Sequence, residues 1–118
     1  DFTLLPCPGL MELIESGHIR DALLKRYLDS LFSALDADSF DAVVLGCTHY
    51  PHIRSEIAAH FPHAAVFDGC RGTAMETKRR LECAGLLSRS TEQGAVRFVT
   101  SAHNPEFDRI CRTLLAAD

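Results

Sequence analysis

Short apolar runs alternate with longer helical stripes along this chain. Phe2-Thr3-Leu4-Leu5 is an extended run closed by Pro6-Cys7-Pro8-Gly9. From Ile19 onward, Ile19, Leu23, Tyr27, Leu31 and Leu35 recur at helical spacing with charged residues between them, which predicts a helix. Ala42-Val43-Val44-Leu45 predicts a buried strand ending at Gly46. Pro51 suits the first turn of the next helix, where a missing N–H costs nothing, and Ile53, Ile57 and Phe61 give that helix an apolar side. Ala64-Ala65-Val66-Phe67 predicts another strand, stopped by Asp68-Gly69. Thr73-Ala74-Met75-Glu76 fits a capping box, and its helix should reach about Cys83 and stop at Gly85. Ala95 to Thr100 reads as a further strand, followed by Asn104-Pro105 as the cap of a last helix with the face Phe107, Ile110, Cys111, Leu114 and Leu115.

This alternation predicts an α/β fold: a mostly parallel sheet with flanking helices, because parallel strands need crossovers and helices supply them. Ser88 to Gly94 is the one polar, turn-rich connector, and the chain shows no internal repeat.

Composition narrows the function classes. The 118 residues are 47% hydrophobic and 24% charged, with a net charge of −4. No basic face suggests a grip on nucleic acid. No apolar run is long enough to span a membrane. The five cysteines Cys7, Cys47, Cys70, Cys83 and Cys111 are irregularly spaced and form no CxxC pair, which suits a reducing cytoplasm better than a secreted disulfide framework. The chain opens Asp1-Phe2-Thr3 and so reads as a piece of something longer.

In open α/β sheets, ligands bind beyond the carboxyl ends of the strands, so the residues after each apolar run matter most. The densest such segment is Gly46-Cys47-Thr48-His49-Tyr50-Pro51. The glycine lets the backbone turn sharply and present the thiol of Cys47. A nearby helix N-terminus would favour thiolate over thiol. His49 is near enough to exchange a proton, and Thr48 adds a hydroxyl and an N–H that could hold a carboxylate. By spacing alone, a buried structural Cys beside a turn His is an equally good reading. A zinc site is weaker: a closed site wants four ligands at recognisable spacing, and His60 and His63 lie beyond the intervening helix. Arg71, His18 and His103 read as solvated turn residues, and Met11 and Met75 as isolated.

Leu45-Gly46-Cys47-Thr48-His49-Tyr50-Pro51 resembles, at every position, the LGCTHYP segment of glutamate racemases, within the aspartate/glutamate racemase superfamily. Cys7-Pro8 followed by Ile14-Glu15, Tyr27-Leu28 leading to Asp41-Ala42-Val43, Asp68-Gly69 with Thr73-Ala74 downstream, and Phe98-x-Thr100 with Phe107 resemble further stretches of that family. Related aspartate racemases usually carry a Glu where His49 stands, so His49 argues for glutamate.

The resemblance implies a cofactor-independent isomerase that interconverts L- and D-glutamate with two cysteines and supplies D-glutamate for peptidoglycan in the cytoplasm. It implies that Cys47 abstracts the α-proton of L-glutamate, that His49 assists it, that Glu15 pairs with His49, and that Thr48 contacts the substrate. A free thiol has a pKa near ~8.5, so such a site must favour the thiolate. The family's architecture is two-lobed. It implies that residues 1–67 belong to the second lobe and residues 68–118 return to the first, and that the complete protein is a homodimer.

The chain departs from the whole family pattern in lacking the N-terminal Asp-Ser-Gly segment and the Cys-Asn-Thr segment that carries the second thiol. It is therefore expected to match the C-terminal half alone, to need the missing N-terminal half as its partner, and to be inactive by itself. Gly69 and Cys70 stand where the family has a small Ser. Cys70 is expected on a strand-end loop but not as a base, Cys7 as a structural turn residue, and Cys83 and Cys111 in helices, with Cys111 in the core. The alternatives are a racemase of a related substrate such as aspartate, a Cys-His hydrolase or transferase, and an inactive or binding-only piece. The hydrolase reading requires direct contact of Cys47 with His49 in a triad geometry, which residues two apart across a turn rarely achieve.

Overall fold

The structure is a computed structural model that describes residues 1–101 and 106–116. Its first helix, α1 (Leu10–Glu15), is only six residues long. It ends because Gly17 takes up a left-handed conformation, φ 91°. The N–H groups of Gly17 and His18 then reach back to the carbonyls of Ile14 and Leu13, which satisfies the last turn. Leu10 and Ile14, one helical turn apart, are its buried residues.

Helix α2 (Ala22–Phe32) begins where Asp21 Oδ1 accepts from the N–H groups of Leu23 and Leu24, each at 3.0 Å. Ile19 thus lies outside the helix that the apolar spacing assigned to it. The buried face is also rotated from the expected stripe. Leu24 and Leu28 are fully buried, while Leu23 remains 41% exposed. Steps of four residues overshoot the helical repeat by about 40° each, so a stripe drawn only at such steps drifts around the helix.

Strands β1 (Ala42–Val44) and β2 (Ala65–Phe67) pair in parallel, with Ala42 opposite Ala65 and Val44 opposite Phe67. The crossover between them contains a 3₁₀ turn, Tyr50–Ile53, with Pro51 at its start, and helix α3 (Arg54–Ala58). The chain is thus α/β with a small parallel sheet, as expected. Two further expected strands do not form: Phe2–Leu5 and Ala95–Thr100 run irregularly. A strand exists only by pairing, and neither segment meets a partner edge here.

Helix α4 (Cys70–Cys83) starts three residues before the expected capping box. Asp68 Oδ1 accepts from Cys70 N–H at 2.9 Å and turns the chain into the helix early. By Thr73 the N–H is already bonded to Gly69 O, and Glu76 pairs with Arg79 and Arg80 instead of capping. The end at Gly85 is as expected: φ is 69°, and Leu86 N–H bonds Leu81 O. Helix α5 (Phe107–Leu115) leaves Phe107, Ile110, Cys111 and Leu114 of its expected stripe half-buried and Leu115 exposed, so Cys111 is not a core residue. The expected cap Asn104-Pro105, and His103, lie outside the described residues.

The core consists of Leu10, Ile14, Leu24, Leu28, Leu45, Ile53, Ile57 and Phe61. Phe61 takes Phe32 and Phe40 edge-on, with ring centroids 4.9 and 5.7 Å away. This core lies on one face of the sheet and sets the floor beneath the loop that follows β1.

Candidate active site

Strand β1 hands its last ladder bond to Leu45, whose N–H donates to Phe67 O at 2.8 Å. Leu45 is buried and so anchors the chain immediately before it turns. Gly46 has open space where a side chain would project. Cys47, Thr48 and His49 follow as a loop at the carboxyl end of the strand, closed by Tyr50 N–H bonding Cys47 O at 3.3 Å. Cys47 and His49 are half-buried, and Thr48 is exposed.

Three of the residues singled out from the sequence come together. Cys47 Sγ lies 3.7 Å from His49 Nδ1. His49 Nε2 lies 2.9 Å from Oε1 of Glu15, the last residue of α1. An ionised carboxylate can only accept, so Nε2 carries the proton of this contact. Nδ1 is then left facing the thiol, able to take its proton when the ring is neutral and to hold the thiolate when the ring is charged. The closeness expected of His49 is thus seen: it stands just before the 3₁₀ turn that begins at Tyr50, with its imidazole beside the sulfur.

A second group of side chains flanks the first. Cys7 Sγ is 3.5 Å from Leu5 O, and its thiol pKa is pushed up, first by burial. The Tyr50 hydroxyl is itself pushed up to about 12, again chiefly by burial and further by the nearby Cys7. Tyr27 O–H donates to Pro8 O at 2.9 Å and ties α2 to the same turn. Tyr50 and Tyr27 were not singled out from the sequence for any role. Tyr50 sits inside the heptad, but nothing in its spacing reveals the contact with Cys7 forty-three positions away (50 − 7).

The other residues singled out lie elsewhere. Cys70 is the first residue of α4 rather than part of a loop, and Cys83 is exposed at that helix's end. His60 and His63 turn to Asp29 and Asp38, at 3.6 and 3.7 Å. His18 meets Asp21 at 2.5 Å beside the start of α2. Among the described residues, no three His, Cys, Asp or Glu side chains converge in a way that could hold a metal ion. Nor is any helix there long and apolar enough to cross a membrane. A groove is lined by Pro8, Leu23, Arg26, Tyr27, Ser30 and Leu31, and Cys47 is not part of that lining.

No protein-family model matches the chain. The glutamate racemase of Clostridium acetobutylicum is 37% identical over 111 residues, covering 94% of this chain and 43% of that protein. The glutamate racemase of Clostridium novyi is 36% identical over 113 residues, covering 94% and 44%. A crystal structure of glutamate racemase from Thermus thermophilus, in complex with β-chloro-D-alanine, superposes with a TM-score of 0.72 at 30% identity, covering 92% of this chain and 41% of that one. The chain is similar to these glutamate racemases. It spans less than half the length of the curated relatives it matches, and its fit is to their C-terminal half.

Proposed function

We propose that this chain is the part of a glutamate racemase that carries one of its two proton-transferring groups. The complete protein then interconverts L- and D-glutamate without a cofactor. The observation that carries this reading is the row Glu15–His49–Cys47, at 2.9 and 3.7 Å. The Cys47 thiolate takes the α-proton of L-glutamate and becomes a thiol; the electron pair stays on the α-carbon. A proton donor on the opposite face then completes D-glutamate. His49 accepts the thiol proton through Nδ1 between turnovers, and Glu15 steadies the imidazolium that forms. Thr48, exposed next to Cys47, is placed to donate to the substrate carboxylate, where charge develops.

The opposite donor is the cysteine of the family's N-terminal half, which is the required partner of this chain. Residues 1–67 belong to the second lobe of the racemase, and residues 68–118 return to the first. The complete enzyme works in the cytoplasm as a homodimer and supplies D-glutamate for peptidoglycan.

Circular dichroism of L- and of D-glutamate solutions tests the reading. The complete protein should bring both to the same racemic end point, while this chain alone leaves them unchanged. A complete protein that racemises aspartate and not glutamate would overturn the substrate assignment.

The contact between Cys47 and His49 also favours a second reading, a thiol acyl transferase or hydrolase. A covalent acyl group on Cys47, detected by mass spectrometry after reaction with an activated ester and turned over by water, would support it. A complete protein that racemises glutamate and forms no such adduct excludes it.

A further inference from the structure

The turn that feeds α1 and the loop that carries Cys47 are far apart in the chain but share one patch of the core. Leu10 N–H donates to Cys7 O at 3.3 Å and opens α1, the helix that ends in Glu15. Tyr50 N–H donates to Cys47 O at 3.3 Å and closes the loop that holds His49. The side chains of Cys7, Tyr27 and Tyr50 all pack, half-buried, against the same apolar cluster.

Burial raises both the Cys7 thiol and the Tyr50 phenol, and each then acts on the other. Tyr50 offsets part of the rise at Cys7, and Cys7 adds to the rise at Tyr50. A phenol pushed up to about 12 keeps its proton at neutral pH, so Tyr50 presents an O–H to the sulfur beside it. Tyr27 fastens the same turn from α2, donating to Pro8 O at 2.9 Å. Helix α1 needs such ties. It is six residues long, and no side chain caps its start. Leu10 and Ile14 hold it to the core, but apolar burial is non-directional. A polar tie from the Cys47 loop to the turn before the helix supplies the direction.

Resting on the racemase reading above, we infer that the Tyr50 hydroxyl is a positioning group for the proton relay: set against Cys7, it locks the turn before α1 to the Cys47 loop and keeps Glu15 in reach of His49. In this role Tyr50 touches neither the substrate nor the moving proton. It acts through the 2.9 Å contact between Glu15 Oε1 and His49 Nε2, which joins the two segments that Tyr50 ties. Without the hydroxyl the helix end and the loop drift apart, and a hydrogen bond weakens steeply with such drift. Tyr50 directly follows His49, so the relay imidazole and its brace occupy consecutive positions.

The test is a double-mutant cycle in the complete protein. Tyr50→Phe keeps the ring and its packing and removes only the hydroxyl. It should lower kcat about three- to tenfold, the size of one polar contact, with KM unchanged. Cys7→Ala takes away the other side of the contact and should give the same loss, and the two together should lose no more than either alone. Glu15→Ala leaves no carboxylate to place, so in that background Tyr50→Phe should change kcat by less than about twofold. A Tyr50→Phe loss that persists in full beside Glu15→Ala, or one seen in KM alone, would overturn the inference, since the phenol would then act on Cys47 or on the substrate directly. So would parent kcat in Tyr50→Phe, or losses from Tyr50→Phe and Cys7→Ala that simply multiply. Nitrogen NMR of the complete protein carrying isotope-labelled histidine reports the His49 Nε2–H bond without turnover, with the signal assigned through His49→Asn. Tyr50→Phe and Cys7→Ala should each move that signal toward its position in Glu15→Ala. A protein that shows this shift but does not racemise glutamate keeps Tyr50 as the brace and counts against the proposed activity alone. An unmoved signal overturns the brace whatever the activity.

Discussion

Glu15 and His49 stand 34 positions apart in the chain, yet Glu15 Oε1 lies 2.9 Å from His49 Nε2. The contact joins the last residue of α1 to the loop after β1, and the buried Ile14 fixes where the carboxylate can reach. Glu15→Gln keeps an acceptor for Nε2–H but removes the charge. In the complete protein it should lower kcat about tenfold or more, with little change in KM, because it touches the proton relay and not the substrate. Steady-state kinetics from both enantiomers check this.

His49→Asn removes the group that faces the Cys47 thiol. The L-to-D direction should slow by about 10²-fold, and by more than the D-to-L direction if His49 serves Cys47 alone. The readout is the initial velocity in each direction under single-turnover conditions. The equilibrium constant remains fixed, so full progress curves must still converge.

Neighbouring leucines in α2 should differ sharply. Leu24 is fully buried and Leu23 is 41% exposed. Leu24→Ala should destabilise the chain by about 2–5 kcal/mol. Leu23→Ala should cost about 1 kcal/mol or less, since much of its side chain already meets water. Denaturant midpoints of the two variants decide between the observed face of α2 and the stripe read from the sequence.

Asp68 should make part of the stability acid-sensitive. Its pKa is lowered, first by the hydrogen bond from Cys70 N–H and further by Arg54, which also bonds its carboxylate. A lowered folded-state value means that the contribution is fully present above the ordinary carboxylate pKa of about 3.9 and is lost as pH falls through the folded value. Asp68→Asn should therefore be less stable than the parent at neutral pH, with the gap closing below about pH 4. Urea melts across that range measure it.

The site was more legible in the sequence than the fold. An apolar run ending in Leu45-Gly46 placed Cys47 on a loop without any long-range information, because strand and turn are local choices. The family resemblance supplied the pairing of Glu15 with His49, which no spacing rule would have found. The closeness of His49 to Cys47 was legible because they stand two positions apart in the chain, but the 3₁₀ turn at Tyr50–Ile53 was not, since Pro51 suggested a regular helix there. Helix α1 was missed because six residues are too few for a periodic signal. Phe2–Leu5 and Ala95–Thr100 were taken for strands on their apolar character, but pairing is a property of the partner as much as of the segment. At Thr73 a good local capping signal lost to Asp68, which captured the Cys70 N–H first.

The central claim is that Cys47 moves the α-proton of glutamate. The most direct measurement is proton NMR of L- and D-glutamate in deuterated water with the complete protein and its Cys47→Ser variant. The parent should wash solvent deuterium into the α-position and interconvert the enantiomers. The variant should lose interconversion by about 10³-fold or more, because a serine hydroxyl is far less acidic than a thiol. Interconversion at an undiminished rate in the Cys47→Ser protein would contradict the assignment outright.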